Sequence, residues 1–239
     1  TENAQARYLP QWIRENLTRK NEKETAVVLC NESLLQSVLH SLPDEVEHVN
    51  ITMGFPLSQT PVYSYLTALL DLQIQGYNAK NGRFSFQQVI ALLKHPYARL
   101  LTPMAEKLEK ELTENNRFYP LPSELQQDEF LTHLFTPVST NPTLVNYLGK
   151  ALQQVASIYQ QNKKPDAFDQ LYRESLFKTY TTINRFRTLI EEGDLNVHPE
   201  TFRRLLIKVL SATNIPFHGE PAIGMQVMGL LETRNLDFR

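Results

Sequence analysis

Glycine is scarce in this sequence, with 8 residues in 239, about half of the usual ~7%. Glycine lets the backbone turn through positive φ and approach a phosphate closely, so its scarcity argues against nucleotide-binding loops and against all-β folds rich in tight turns. One glycine pair, Gly219 and Gly224, has P-loop spacing, but Met225-Gln226 follows where a P-loop needs Lys and then Ser or Thr. The sequence therefore contains no Walker A motif.

Cysteine is also scarce, and long apolar runs and an excess of one charge are absent. Cys30 is the only cysteine, which excludes an internal disulfide and fits a reducing compartment. No run approaches the ~18 apolar residues of a membrane span, so we expect a cytoplasmic protein without a membrane partner. Lys+Arg 24 against Asp+Glu 26 gives a net charge of -2. The chain thus lacks the overall basic character of non-specific DNA binders, and only a local basic patch stays open.

The residue patterns of metal and nuclease sites are absent as well. No lysine has an Asp or Glu two residues before it, so the acid-x-Lys site of restriction-type nucleases is missing. No histidine pair has HxxxH or HxH spacing, and we expect no metal and no cofactor in this chain. Cys30 ends a predicted buried strand and is expected to be a small core residue rather than a nucleophile.

Three short apolar segments are typical of strands, at 25–30, 48–53 and 225–231. The first, TAVVLC, is uniformly apolar and suits a strand covered on both faces. A helix is predicted at 33–42, with Asn31 and Ser33 as candidate N-caps. The resulting strand–helix–strand order predicts a βαβ unit in a parallel sheet. The third segment is expected to rejoin that sheet.

The sequence between these segments shows almost only helical periodicity. A long helix is predicted from about Tyr63, and a second runs from Ser85 to His95-Pro96. In the helix predicted near the N-terminus, at 3–19, Pro10 lies in the first turn or divides two short helices. The remaining helices are predicted at 3–19, 104–114, 123–134, 143–161, 165–191 and 199–213.

These patterns predict a mainly α chain with a small α/β part. We expect an α/β portion at 1–59, which includes the N-terminal helix, and a helical insertion at 60–215. Residues 216–239 then supply the return strand of the α/β portion.

Two groups of basic side chains lie on predicted helices. The members of the first group are Arg83, Lys94, His95 and Arg99. The second group covers the helices at 165–191 and 199–213, where Tyr172, Tyr180 and Phe186 are interleaved with it. Basic side chains beside aromatic ones can contact phosphates and stack on bases. The members of the second group are Arg173, Lys178, Arg185, Arg187, Arg203, Arg204 and Lys208.

The second group has two interpretations. One is a DNA-binding surface formed by Arg173, Lys178, Arg185, Arg187, Arg203 and Arg204. The other, which is more common for such a pattern, is an ordinary charged helix face over core aromatics, and it is favoured by the five acids in the same stretch. Those acids are Glu174, Glu191, Glu192, Asp194 and Glu200.

Four segments together resemble a known family. Residues 25–44 (TAVVLCNESLLQSVLHSLPD) resemble the motif IV strand and helix of superfamily 1 helicases of the UvrD/RecB/AddB type. Residues 49–73 (VNITMGFPLSQTPVYSYLTALLDLQ) resemble the next strand and the entry to the helical insertion. Residues 83–101 (RFSFQQVIALLKHPYARLL) resemble a helix of the same group, and residues 224–238 (GMQVMGLLETRNLDF) resemble its motif V region. The best match is the AddB-like helicase–nuclease group.

The resemblance implies an incomplete RecA-like parallel sheet that carries the helical insertion, within a parent that acts on DNA ends in recombination or repair. It implies ATP and Mg²⁺ as cofactors of that parent, a PD-(D/E)XK nuclease domain in it, and DNA, other domains of the same chain and a helicase subunit as partners. The chain begins Thr-Glu-Asn, without an initiator Met, and we expect a piece that lacks the P-loop and nuclease domains. This piece is expected neither to hydrolyse ATP nor to cut DNA.

The chain departs from the family pattern at two places. Active motors carry an Arg in motif IV, where this chain has Cys30 and Asn31, and Asn235 replaces the glycine of motif V. The resemblance still implies that Glu232 and Arg234 face a nucleotide or DNA. Loss of the motif IV Arg fits a degenerate motor that is kept for scaffolding and DNA handling. The rival hypothesis is a helical protein–protein interaction scaffold without a nucleic-acid role.

Overall fold

The computed structural model describes residues 2–18, 21–43, 45–46, 49–160, 167–216 and 224–233, with the side chains of 160 and 167–170 excepted. The chain divides into two compact units. One, the α/β unit, combines residues 1–55 with 214–239, and the other, the helical unit, is continuous from 56 to 213.

The described chain is mostly helical, with a few short strands. Its helices are Glu2–Asn16 (α1), Leu35–Leu39 (α2), Pro61–Asp71 (α3), Phe86–Leu93 (α4), Pro96–Leu101 (α5), Met104–Glu114 (α6), Pro122–Leu125 (α7), Glu129–Leu134 (α8), Asn141–Gln160 (α9), Ala167–Glu191 (α10) and Pro199–Ser211 (α11). Its strands are Ala26–Leu29 (β1), Val49–Ile51 (β2), Phe55–Pro56 (β3), Tyr77–Asn78 (β4), Arg83–Phe84 (β5), Asn214–Ile215 (β6) and Met225–Gly229 (β7). None of the described helices is both long and apolar enough to cross a membrane.

The three predicted strand segments form one parallel sheet, in the order β1-β7-β2. Val227 in the central strand is in register with Val27 on one side and Ile51 on the other. The side chains of Asn50 and Gln226 hydrogen-bond across β2 and β7, with an Nδ2–Oε1 distance of 2.7 Å. The prediction of a mainly α chain with a small parallel α/β part is confirmed.

The edge strand β1 differs from its prediction. Only Leu29 in β1 is buried, whereas the other three residues are half-buried, because β1 has a neighbour on one side only in the described sheet. Cys30 lies just past the strand and is exposed, so its interpretation as a core residue is wrong. The central strand β7 shows the alternation of a well-packed strand, with Met225, Val227 and Gly229 buried.

The helices of the α/β unit also differ in detail from prediction. Pro10 lies inside a continuous α1, so it neither starts the helix nor divides it. The helix predicted at 33–42 is shorter, because a 3₁₀ turn precedes α2. Asn31 caps that turn as predicted, since its side chain accepts a hydrogen bond from the Ser33 backbone N–H at 3.1 Å.

The helical unit is organised around α3, in which Tyr65, Leu66, Leu69 and Leu70 are fully buried. A π-helical turn continues α3 from Leu72 to Gly76. After it comes the hairpin β4–β5, which the sequence did not predict because strands of two residues are too short to show alternation. The residue before β5, Gly82, closes this hairpin at a φ of +67°. A left-handed backbone of this kind favours glycine.

Candidate functional site

The first basic group is engaged by contacts inside the helical unit. Lys94 Nζ lies 3.4 Å from one oxygen of Glu109, and Arg99 Nη2 lies 2.6 Å from the other. Arg83 Nη1 donates a hydrogen bond of 2.7 Å to the Tyr119 carbonyl. The two Glu109 contacts hold α4, α5 and α6 together, and the Arg83 contact joins β5 to the segment before α7. These three side chains therefore have a structural role.

His95, the remaining member of that group, is buried and caps α5. Its Nδ1 accepts a hydrogen bond from the Tyr97 backbone N–H at 3.2 Å, so the ring proton is on Nε2. Nε2 lies 3.0 Å from Ser64 Oγ and donates to it, and that hydroxyl in turn donates to the Pro61 carbonyl at 3.0 Å. A base that activates a nucleophile must accept the hydroxyl proton, and this pair has the opposite polarity. Desolvation by burial lowers the pKa of His95 to about 4, so the ring is neutral at pH 7.

Three of the six predicted DNA-binding residues are built into the packing of the helical unit. Arg203 on α11 holds Asp71 at the end of α3, with Nη2 2.5 Å and Nε 2.6 Å from Asp71 Oδ1. Arg173 Nη2 donates to the Tyr159 carbonyl. Arg187 packs on α9 where that helix has a glycine, since a β-carbon at Gly149 would lie 2.9 Å from Arg187 Nη2.

The other three predicted residues present their charge outward. Arg185 on α10 and Arg204 on α11 are exposed, and Lys178 is half-buried. Lys208, one turn after Arg204, is also exposed. Among the residues that the structure describes, none of these four cations forms an ion pair with a carboxylate, whereas Arg203 pairs with Asp71. They are available to contact phosphates.

The aromatic residues of the second group occupy different environments. Phe186 is buried and packs edge-on against Phe202, with ring centroids 5.6 Å apart. It is a core residue and cannot stack on a base. Tyr172 is half-buried, with its ring 6.3 Å from that of Tyr159. Tyr180 is half-buried and reaches a groove between α9 and α10.

This groove has a volume of about 390 Å³, within the range of ordinary ligand pockets. Its wall includes Phe177, which is 64% exposed and which the sequence analysis missed. The signal in the sequence that could have identified Phe177 is an aromatic residue directly before a lysine, Lys178. The groove is lined by Leu152, Gln153, Ala156, Tyr159, Arg173, Leu176, Phe177 and Tyr180.

The polar end of the groove is formed around the Tyr180 hydroxyl. Gln153 Nε2 donates to it at 3.2 Å. Asn184 and Gln153 hydrogen-bond to the hydroxyl and, together with the nearby charge of Arg187, lower the pKa of Tyr180. The groove thus combines aromatic faces with hydrogen-bonding groups, and no carboxylate is among the described side chains that line it.

The carboxyl edge of the parallel sheet holds one of the two predicted nucleotide-facing residues. Glu232 lies in a 3₁₀ turn after β7, and its carboxylate accepts a hydrogen bond from the Gly229 backbone N–H. Glu32, which follows β1, is close by: a β-carbon at Gly229 would lie 2.5 Å from Glu232 Oε2 and 2.8 Å from Glu32 Oε1. Arg234 lies outside the described residues.

Ligands of α/β proteins bind at this edge of a parallel sheet. Within the described part of the chain, however, no three His, Cys, Asp or Glu side chains are grouped to hold a metal ion. Glu232 therefore has a local structural contact, and its role toward a nucleotide stays a prediction.

Comparison of the chain with models of known protein families and with curated proteins finds no match.

Proposed function

We propose that this chain is a non-catalytic, DNA-handling part of a helicase–exonuclease-like repair or recombination protein of the cytoplasm. Its α/β unit is then an incomplete RecA-like domain, and ATP, Mg²⁺ and the nuclease chemistry belong to other domains of the parent or to a partner helicase subunit. One observation carries the proposal. The segments that resemble motif IV, the next strand and motif V supply β1, β2 and β7, which pair in a single parallel sheet.

The DNA-handling role is supported by the outward-facing cations of α10 and α11. Exposed Arg and Lys side chains contact phosphates and give binding without sequence preference. Arg185, Arg204 and Lys208 are exposed on these two helices. Since the chain as a whole has a net charge of -2, DNA binding has to come from such a local surface.

The experiment compares binding of single- and double-stranded DNA by wild type and by the Arg185→Ala/Arg204→Ala variant at low salt. Loss of two phosphate contacts is expected to weaken binding similarly for all sequences and to reduce the salt dependence. Arg7→Ala, which removes an exposed arginine from α1, is the matched control and is expected to bind as wild type does. Equal binding by all three proteins would contradict the assignment of this surface.

The scaffold hypothesis is favoured by one feature of α11. Leu205 and Val209 lie one turn apart and are 38% and 44% exposed, which suits contact with another apolar surface. A chain that binds neither form of DNA at low salt, and that loses a protein partner on Leu205→Ser/Val209→Ser substitution, would be such a scaffold.

A further inference from the structure

The groove between α9 and α10 has the features of a binding site for a flat, partly polar group. It exposes Phe177, which lies two turns of helix from Asn184 at the polar end. Tyr159 and Tyr180 add two further rings to its lining. A purely apolar pocket would accept any aliphatic side chain, whereas aromatic faces beside amide and hydroxyl groups suit a nucleobase.

The charge along α10 matches a polyanion that would run past this groove. Between residues 175 and 190, α10 carries Lys178, Arg185 and Arg187 and no acid. Lys178 directly follows Phe177, and Arg185 lies two turns further on the same side, about 10.5 Å along the helix axis. Single-stranded nucleic acids are bound by this combination, in which cations follow the backbone and aromatic rings stack on the bases.

Arg187 links the cations to the groove. It lies beside the Tyr180 hydroxyl, and the absence of a side chain at Gly149 makes room for its guanidinium against α9. Its positive charge therefore lies at the polar end of the groove.

We propose that the groove between α9 and α10 takes an unpaired base of single-stranded DNA, which stacks on Phe177 while the neighbouring phosphates contact the cations of α10. The proposal rests on the DNA-handling function proposed above. It adds the form of DNA that is bound and the side chain on which a base stacks. It requires no covalent step and no cofactor.

The test combines a substitution in the protein with the removal of bases from the DNA. Binding of a single-stranded oligonucleotide and of an abasic strand of equal length is measured for wild type and for Phe177→Ala. Base stacking on an aromatic ring contributes about 1–3 kcal/mol, so Phe177→Ala is expected to weaken binding of the normal strand by about 5- to 150-fold. The same substitution is expected to leave binding of the abasic strand unchanged.

Two further variants separate stacking from a general loss of structure. Phe118→Ala removes a phenylalanine of similar exposure, 58%, that does not line the groove, and it is expected to bind both strands as wild type does. Phe177→Trp retains an aromatic face and is expected to restore binding of the normal strand. The tryptophan fluorescence that this variant adds to that of Trp12 should be quenched when the strand binds.

The outcomes distinguish this inference from the function on which it rests. If wild type binds no DNA at low salt, both are overturned. If it binds normal and abasic strands equally, and Phe177→Ala changes neither affinity, the DNA-handling function stands and the groove proposal is overturned; an apolar segment of a protein partner would then be the better occupant. An equal loss of affinity for the normal strand in Phe118→Ala and Phe177→Ala would also overturn the groove proposal.

Discussion

The hydroxyl of Tyr65 is an uncompensated polar group in the core of the helical unit. The side chain is fully buried, and the hydroxyl has no hydrogen-bond partner among the described residues. Its desolvation costs free energy that no contact returns. The residue is thus held by its ring, which packs edge-on against Tyr97 at a centroid distance of 5.6 Å.

Replacing Tyr65 by Phe is therefore expected to raise the free energy of unfolding, by about 1 kcal/mol. Tyr147→Phe is the matched control, because the Tyr147 hydroxyl donates to the Leu134 carbonyl at 2.9 Å. The free energy of unfolding of Tyr147→Phe is expected to be lower than that of wild type by about 1 kcal/mol. Urea unfolding of both variants measures the difference, and a Tyr65→Phe protein as destabilised as Tyr147→Phe would refute this description of the core.

His95 makes stability depend on pH. Burial lowers its pKa from 6.5 to about 4 in the folded chain, whereas the unfolded chain protonates it near 6.5. Between these two values the unfolded state binds more protons than the folded state. The stabilisation that comes from the neutral His95 ring is therefore complete above pH 6.5. It is lost as the pH falls toward 4, by up to about 1.4 kcal/mol of unfolding free energy per pH unit. The rings of Tyr65 and Tyr97 lie 5.1 and 5.3 Å away and carry no compensating charge.

His95→Asn is expected to flatten that part of the pH profile. Asparagine is a good N-cap acceptor, so it retains the cap of α5 but does not titrate. The measurement is the free energy of unfolding between pH 4 and pH 7, supported by the NMR titration of the His95 ring in wild type. Parallel slopes for wild type and variant would show that another group causes the dependence.

At the scale of elements, the π-helical turn after α3 places Gln73 where it joins distant segments. Its amide donates to the carbonyls of Leu134 and Thr136 at 3.2 and 3.1 Å, and its carbonyl accepts from the Val138 N–H at 3.1 Å. Gln73 itself is buried. One side chain thus contacts three backbone groups, one at the end of α8 and two in the segment that connects α8 to α9.

Gln73→Ala is expected to lower the free energy of unfolding by about 2 kcal/mol, because the Thr136 carbonyl and the Val138 N–H lose their partner at a cost of about 1–3 kcal/mol each, while the Leu134 carbonyl keeps the Tyr147 hydroxyl. Gln127→Ala is the matched control, since Gln127 is exposed and has one long contact of 3.4 Å with Glu111. Its effect should stay within about 0.5 kcal/mol. Equal midpoints of thermal unfolding for wild type and Gln73→Ala would show that Gln73 does not join these segments.

Elements with a strong local pattern could be predicted from the sequence. Residues 104–114 alternate charged and apolar positions with helical spacing, and α6 has these bounds. The segments that form β1 and β2 are short, rich in β-branched residues and bounded by turn residues, and the segment that forms β7 alternates and then runs apolar. Burial could not be read from the same pattern: Cys30 follows an apolar run but is exposed, since the order of strands decides which faces are covered.

The candidate site depends on contacts between distant residues, which the sequence does not show. Nothing local distinguishes Arg203, which binds Asp71 on α3, from its neighbour Arg204, which is exposed. Gly149 has its role only because Arg187 on the next helix packs against it. The spacing of basic residues therefore predicted a candidate set but not which members face outward.

At the scale of the whole molecule, the two units are built differently. The helical unit is continuous from 56 to 213, while the α/β unit combines residues from both sides of it. In this chain, which has a net charge of -2, the cations proposed to contact DNA lie on α10 and α11 of the continuous unit. The proposed DNA binding is thus a local property of one unit, and the strength of its electrostatics is set by the few cations available there.

The salt dependence of single-stranded DNA binding by the wild-type chain tests the central claim most directly. Each phosphate contact on single strands contributes about −0.7 to the slope of log K against log salt. Contacts from Lys178, Arg185, Arg204 and Lys208 therefore predict a slope of about −3. A binding constant that does not change with salt, or no binding at the lowest salt concentration, would contradict the DNA-handling function.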